Sequence, residues 1–281
     1  MRVGGDSLRV TLLGTSSAEG MPALFCRCVT CVRARALRGK NIRTRSSALI
    51  DGVLKIDFPP DTLSQVIHHD VDLTEMKAVL FTHGHDDHFS PSELQYRGSY
   101  FVSPPITSAL EIFGPRDVIQ SVSCSLDPEL VSTALHCIEP DRPVSVIGYQ
   151  VFPFTANHDP SRVCLNYVIK GPDGASLLYA SDTGWYPERT WKLLEKFQID
   201  GVIVECTKRE EGGYPGHLSV PEVARMRKRL ESTGSLRPGA PMIATHFGHL
   251  MGLLHDELET LLSIDSIQAA YDGMTIDINP A

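Results

Sequence analysis

Thr82-His83-Gly84-His85-Asp86-Asp87-His88 packs three imidazoles and a carboxylate into the spacing His-x-His-x-Asp-His. Neither a helix nor a strand needs such a density of metal-binding groups for its packing. Neutral imidazole nitrogens and carboxylate oxygens suit borderline divalent metals such as zinc, iron and manganese. The apolar run Lys77 to Phe81 precedes the cluster and reads as a short buried strand, so the cluster is expected in the loop at that strand's exit. Loops on a rigid scaffold are where catalytic groups concentrate.

Working outward, single histidines and aspartates recur just after other strand-like runs. His158 follows Val151-Phe152-Pro153-Phe154, Asp182 follows Leu177-Leu178-Tyr179-Ala180, and His246 follows Met242-Ile243-Ala244. Any one of them reads as a capped strand end or a satisfied polar group. Together they would converge at one edge of a sandwich. Further strands are expected at Leu8 to Leu13, Tyr100 to Val102, Val118 to Val122, Val144 to Phe154, Cys164 to Ile169 and Gly201 to Val204. Ser47 to Ile50 and Val53 to Ile56 form a hairpin about Asp51-Gly52, a strong two-residue turn signal, and a last hairpin is expected about Asp272-Gly273. Helices are expected at Cys31 to Leu37, Thr62 to His69, Ile106 to Phe113, Pro187 to Phe197 and Leu253 to Leu262. Another runs from Val220 to Leu230, behind a Ser219 cap. No low-complexity linker and no fixed-period repeat divides the chain. The expectation is one domain over residues 1–281, with two sheets face to face and helices outside them.

Composition narrows the partners. The 281 residues carry 34 acidic and 26 basic side chains, a formal net charge of -8. A broad nucleic-acid surface usually has the opposite sign, so nucleic acid is disfavoured as a partner. A small phosphate ester remains open, because bound divalent cations reverse the local field. No run of eighteen apolar residues suggests a membrane span, and Met1 to Asp6 lacks an apolar signal core, so the cytoplasm is the expected location.

The seven cysteines are unevenly spread. Cys124, Cys137, Cys164 and Cys206 are scattered as reduced thiols would be, whereas Cys26, Cys28 and Cys31 fall together in a loop at about residues 20–35. A redox Cys28–Cys31 pair is one reading, but no thioredoxin-like strand precedes it. Structural zinc fits better, and a closed tetrahedral site then needs a fourth ligand. His249, three residues after His246, is the best candidate.

In order, His83, His85, Asp87, His88, His158, Asp182 and His246 resemble the ligand set of the metallo-β-lactamase superfamily of dinuclear hydrolases. Asp57, ending Leu54-Lys55-Ile56, matches an aspartate that orients a ligand in that family, although Phe58-Pro59-Pro60 departs from the family's small residue and glycine. The resemblance implies an α/β fold, the four-layer αββα sandwich. It implies that His83, His85 and His158 hold one metal, that Asp87, His88 and His246 hold the other, and that Asp182 bridges them. Asp182 stands where dinuclear β-lactamases often carry cysteine, which argues against antibiotic hydrolysis. Gly14-Thr15, Gly20-Met21-Pro22, the cysteine run and the His246/His249 pair further resemble the cyclic-phosphate phosphodiesterases of the carbon–phosphorus lyase pathway. A related branch in pyrroloquinoline quinone biosynthesis commonly has an altered metal motif, which is intact here.

The expected function is therefore hydrolysis of a small, cyclic ribose phosphodiester. Two divalent ions, manganese or zinc with iron as a third candidate, would activate a bridging hydroxide, with Asp87 among the catalytic groups and one structural zinc apart. His217, in Gly216-His217-Leu218-Ser219, is the candidate for contacting the scissile phosphate; a surface-loop histidine is the plainer reading. Thr183 and Tyr186 are pocket candidates. Arg43 and Arg45 could bind a second phosphate, with a solvated basic stretch the favoured alternative. Competing functions are a transfer-RNA 3′-end endonuclease, a glyoxalase-like thioesterase, and a non-catalytic metal-binding or sensor protein. The sequence leaves the oligomeric state open, with a homodimer as one candidate.

Overall fold

The computed structural model describes residues 7–280, so the reading of Met1 to Asp6 lies outside the described residues. Among the described residues, fourteen strands form two seven-stranded sheets. In chain order they are β1 (Leu8–Gly14), β2 (Ser47–Ile50), β3 (Leu54–Ile56), β4 (Ala78–Leu80), β5 (Leu110–Gly114), β6 (Thr133–Cys137), β7 (Val144–Val146), β8 (Tyr149–Thr155), β9 (Leu165–Lys170), β10 (Ser176–Ala180), β11 (Gly201–Glu205), β12 (Met242–Thr245), β13 (Gln268–Ala269) and β14 (Met274–Ile278). The helices are α1 (Val29–Leu37), α2 (Thr62–His69), α3 (Arg116–Ser125), α4 (Glu188–Leu194), α5 (Val220–Ser232) and α6 (His255–Ser263). Among the described residues no helix is long and apolar enough to cross a membrane.

One sheet runs β14-β1-β2-β3-β4-β5-β6 and the other β13-β12-β11-β10-β9-β8-β7. From β14 and from β7 respectively, each begins with antiparallel pairs and ends with parallel ones. The two sheets thus repeat one design that no periodicity in the sequence betrays. Alternation along β4 shows how the layers form. Ala78 and Leu80 face the core between the sheets, while Val79 and Phe81 pack outward with Ile112 and with Val118, Ile119 and Val122 of α3. Strands β10, β11 and β12 are buried throughout, as expected of central strands covered on both faces. The cap expected at Ser219 is present, and it takes the form of a capping box with Glu222. In parallel regions of such sheets, ligand sites gather at the strands' carboxyl ends. The exits of β3, β4, β10, β11 and β12 carry Asp57, His83, Asp182, Glu205 and His246.

Several expectations are corrected. The segment expected as a helix up to Phe113 is strand β5, and the strand expected at Val118 to Val122 lies inside α3. Val118, Ile119 and Val122 have helical spacing, so their apolar side chains share one face of α3. Tyr100 to Val102 forms no strand. The final hairpin does not exist: β13 pairs with β12, whereas β14 crosses to the other sheet and pairs with β1. The Asp272 carboxylate explains the crossover, accepting from Thr15 Oγ1 at 2.7 Å and from Thr44 N and Oγ1 at 2.6 and 2.7 Å. Arg43 is not solvated. It is buried, donates to Thr15 Oγ1 and the Ala270 carbonyl, and lies over the Phe247 ring. Arg45 is paired with Asp61 at 3.1 Å. Neither arginine is free to receive a second phosphate.

Lys55 on β3 is buried with no hydrogen-bond partner for Nζ. Burial pushes its amine down to about 7, against a smaller opposing pull from Asp57. The unfolded chain therefore binds more protons between about pH 7 and the ordinary lysine range, and the native state gains stability as pH rises through that window. Lys55→Met is expected to stabilise the protein by roughly 1–4 kcal/mol near pH 6, a gain that shrinks toward pH 10. Calorimetric unfolding across pH tests this; a pH-independent or destabilising effect contradicts it.

Candidate metal centre

The seven residues from the sequence motif meet. Asp182 stands between two groups of donors: His83, His85 and His158 on one side, and Asp87, His88 and His246 on the other. One carboxylate oxygen faces each group. Asp182 Oδ2 lies 3.9 Å from His83 Nε2 and 3.5 Å from His158 Nε2, while Oδ1 lies 3.3 Å from His88 Nε2 and 2.9 Å from His246 Nε2. Asp87 Oδ2 completes the second group, 3.2 Å from His88 Nε2. Asp182 and His246 adopt positive φ, 36° and 57°, a region that Asp and His enter more readily than most side chains.

Each ring is oriented by its other nitrogen. Asp57 Oδ2 receives His88 Nδ1 at 2.7 Å, Thr82 Oγ1 receives His83 Nδ1 at 3.0 Å, and the Gly216 carbonyl receives His158 Nδ1 at 3.0 Å. Thr207 Oγ1 receives His246 Nδ1 at 2.9 Å. His85 is turned the other way: its Nδ1 joins the donor group, 2.9 Å from His83 Nε2, and its Nε2 meets Asp159 Oδ2 at 3.2 Å. Such outer partners fix tautomer and aim, as metal-binding histidines require. The inward atoms are correspondingly poorly served. His88 Nε2 and His246 Nε2 are buried and lack a hydrogen-bond partner. Orphaned imidazole nitrogens aimed at shared carboxylate oxygens fit a pair of divalent cations.

The electrostatics agree. Burial alone would raise Asp182 and Asp87, but neighbouring imidazoles hold both well below the usual carboxylate range: His246 and His88 for Asp182, His88 above all for Asp87. Burial alone would lower His246, yet the Asp182 charge 2.9 Å from its Nε2 pushes it up to about 10. The centre is a concentration of negative charge that needs cations, protons or metals, to be stable.

Beside it lies a feature only half visible in the sequence. His217 Nδ1 sits 2.7 Å from Glu205 Oε1, and its ring stacks on His246 with centroids 5.6 Å apart. Glu205 is buried at the β11 exit and also accepts from Thr183 N, Thr207 N and Thr207 Oγ1. Burial would lower His217, but the hydrogen bond to Glu205 raises it above its ordinary value. Glu205, Asp159 and Thr207 escaped the sequence reading. The one signal for Glu205 was a lone acid closing the apolar run Gly201 to Val204. Tyr186 turns away to hydrogen-bond Asn166, and the Thr183 hydroxyl serves loop backbone, so neither is aimed at the donors.

The cysteine cluster also assembles. Sγ of Cys26, Cys28 and Cys31 lie 3.7, 3.6 and 3.5 Å from His249 Nδ1. A zinc tetrahedron with Zn–S of about 2.3 Å and Zn–N of about 2.0–2.1 Å has S···N edges of about 3.6 Å. The four residues fit that ion. Glu19 Oε1 faces the other nitrogen of His249 at 3.5 Å.

A family model for the beta-lactamase superfamily domain matches residues 48–247. The chain belongs to the metallo-β-lactamase superfamily. With this donor set, it is a metal-dependent hydrolase that uses divalent metal. Among solved structures this superfamily member resembles a diphosphatase from the PhnP family (TM-score 0.76, 20% identity, covering 96% of this chain and 97% of that one). It also resembles zinc-bound PqqB from Methylobacterium extorquens (TM-score 0.73, 18% identity, 96% and 99% covered). Human tRNase Z, short form, is similar at TM-score 0.65 and 17% identity, with 97% and 100% covered. At these identities the likeness is one of fold. A curated relative, an octanoyltransferase of Porphyromonas gingivalis, is 34% identical over 278 residues, covering 95% of this chain and 51% of the relative. The chain thus spans about half the length of that relative.

Cys28→Ser is expected to lower the unfolding temperature by roughly 5–10 °C while leaving metal content at the Asp182 centre nearly unchanged. Differential scanning calorimetry with elemental analysis checks this; an unfolding curve identical to wild type contradicts a stapling role.

Proposed function

We propose that this hydrolase opens a small phosphodiester, a cyclic ribose phosphate. The manganese or zinc pair is assigned to His83, His85, His158, Asp182, Asp87, His88 and His246, and a structural zinc to Cys26, Cys28, Cys31 and His249. The observation that carries this reading is the Glu205–His217 pair, stacked against His246 at the edge of the donor set. Acyl transfer or thioester hydrolysis has less need of such a group, because a thiolate leaves readily. An alkoxide expelled from phosphorus needs a proton.

Divalent cations at this centre supply charge relief for phosphoryl oxygens and lower the pKa of water toward neutrality. The protein's own groups do the rest. Asp182 and Asp87 hold negative charge in a buried site, and Asp57, Thr82, Thr207, Asp159 and the Gly216 carbonyl lock the imidazoles that surround it. Water attacks phosphorus: its oxygen–phosphorus bond forms as the bond from phosphorus to one ribose oxygen breaks, and the water's proton passes to solvent. His217, kept protonated by Glu205, delivers a proton from Nε2 to the departing oxygen, which leaves as a hydroxyl. Glu205 stabilises the imidazolium before transfer and keeps Nδ1 engaged, so that Nε2 is the atom that donates.

The octanoyltransferase activity named for the half-matched relative is not carried over. That relative is about twice as long as this chain, which covers 51% of it, so its named activity need not lie in the matched half. Charge of -8 and paired basic groups near the N-terminal loop likewise argue for a small substrate over a transfer RNA.

Two diesters separate the roles. His85→Ala should abolish turnover of both bis(p-nitrophenyl) phosphate and a ribose 1,2-cyclic phosphate by metal-loaded protein. His217→Asn should reduce the cyclic phosphate about 10²–10⁴-fold and the nitrophenyl diester far less, because nitrophenolate leaves without a proton. Wild-type turnover by His85→Ala, or equal losses for both diesters in His217→Asn, would contradict the assignment.

A further inference from the structure

A row of aromatic rings leads away from the metal centre. The His88 and His246 rings stack with centroids 5.5 Å apart, His246 and His217 follow at 5.6 Å, and Tyr214 stands next at 5.9 Å from His217. Tyr214 is also edge-on to His158, at 6.2 Å. It lies one group beyond the proposed proton donor, where a substituent on the leaving oxygen would sit.

The loop that carries this tyrosine is built to hold it still. Its hydroxyl donates to the His158 carbonyl at 2.6 Å. Its own carbonyl, and that of Gly212, accept from Lys208 Nζ at 3.1 and 3.0 Å. Gly212 and Gly213 take positive φ, 114° and 66°. Gly216 has no room for a side chain: a Cβ there would come within 2.4 Å of Tyr214 Cε1 and 2.6 Å of the His158 carbonyl. One side of the ring is therefore pressed on backbone. Even so, Tyr214 remains 50% exposed. Orienting His158 does not require this ring, since the Gly216 carbonyl already holds His158 Nδ1. A fixed aromatic side chain left half open beside a reactive centre offers a planar surface whose ordering entropy is already lost.

We infer that Tyr214 is a stacking wall for a planar ring, a nucleobase or an aryl group, carried on the leaving side of the substrate. This rests on the proposed placement of the leaving oxygen at His217. The substrate is then a cyclic ribose phosphate whose ribose also bears a flat group, read by ring contact and not by added positive charge.

Equilibrium binding to metal-loaded protein tests this without reading hydrolysis. The probes are adenosine 5′-monophosphate, phenyl phosphate and ribose 5-phosphate, against wild type, Tyr214→Phe and Tyr214→Leu, with metal content measured for each. Wild type should bind a ring-bearing ester about tenfold more tightly than ribose 5-phosphate, as one stacked base typically provides. Tyr214→Phe should keep that preference, and Tyr214→Leu should erase it while ribose 5-phosphate binding stays the same. A preference for the adenosine ester alone identifies a nucleobase; a preference for both identifies any planar ring. Equal affinity of wild type for all three, or a uniform loss in Tyr214→Leu, overturns the inference. Failure of the phosphodiesterase reading would appear in the turnover assays and leave this comparison intact.

Discussion

A buried carboxylate surrounded by imidazoles sets the terms for this molecule. Asp182 is buried, and its two oxygens face separate sets of nitrogens. Left alone, an ionised carboxylate at such depth would be strongly destabilising. Imidazolium or metal must balance it, and His83, His88, His158 and His246 each bring a ring nitrogen to within 2.9–3.9 Å of its oxygens. Those residues are scattered over much of the chain. The paired sheets exist, in functional terms, to deliver them to one edge.

The delivery relies on short, strained exits from buried strands. Asp57, Asp182 and His246 all take positive φ where strands β3, β10 and β12 end. Each turn aims a side chain back over the sheet edge, not along the strand. Outer partners then remove the remaining freedom: Thr82 donates to Asp57 and supports His83, and Thr207 donates to Glu205 and supports His246. The two relays come from β4 and β11, equivalent strands of the repeated sheet design. A centre held by such supports is preorganised, so little motion is needed when the ligand arrives. The cysteine–His249 cluster adds a second tie. His246 and His249 flank Phe247, whose backbone bonds to Thr15 and Ser17, so the N-terminal loop is anchored beside the centre.

The candidate metal ligands were legible in the sequence because their chemistry is dense and has no packing purpose. His83 to His88 and the cysteine run are of that kind. His158, Asp182 and His246 were legible only jointly, each as a polar residue closing an apolar run. Glu205 had the same form but no partner in the resemblance, and so was passed over. Asp159 hid as the neighbour of a better candidate, and Tyr214 inside a glycine-rich loop whose turns cannot be read from composition. The fold was clear where apolar runs were long, and misread at residues 106–122, where short β-branched runs suit either a strand or a helix until tertiary packing decides. The Asp272 crossover was hidden because Asp-Gly signals a turn without saying which sheet follows. Arg43 was misjudged because a basic stretch looks solvated until its buried acceptors are seen.

Element-resolved anomalous diffraction from crystals of the metal-loaded protein bears most directly on the central claim. Two peaks about 3.5–4 Å apart should flank the Asp182 carboxylate, with a separate zinc peak among Cys26, Cys28, Cys31 and His249. Electron density that left Asp182 without a metal on either side, its oxygens hydrogen-bonded to protonated histidines, would contradict the account.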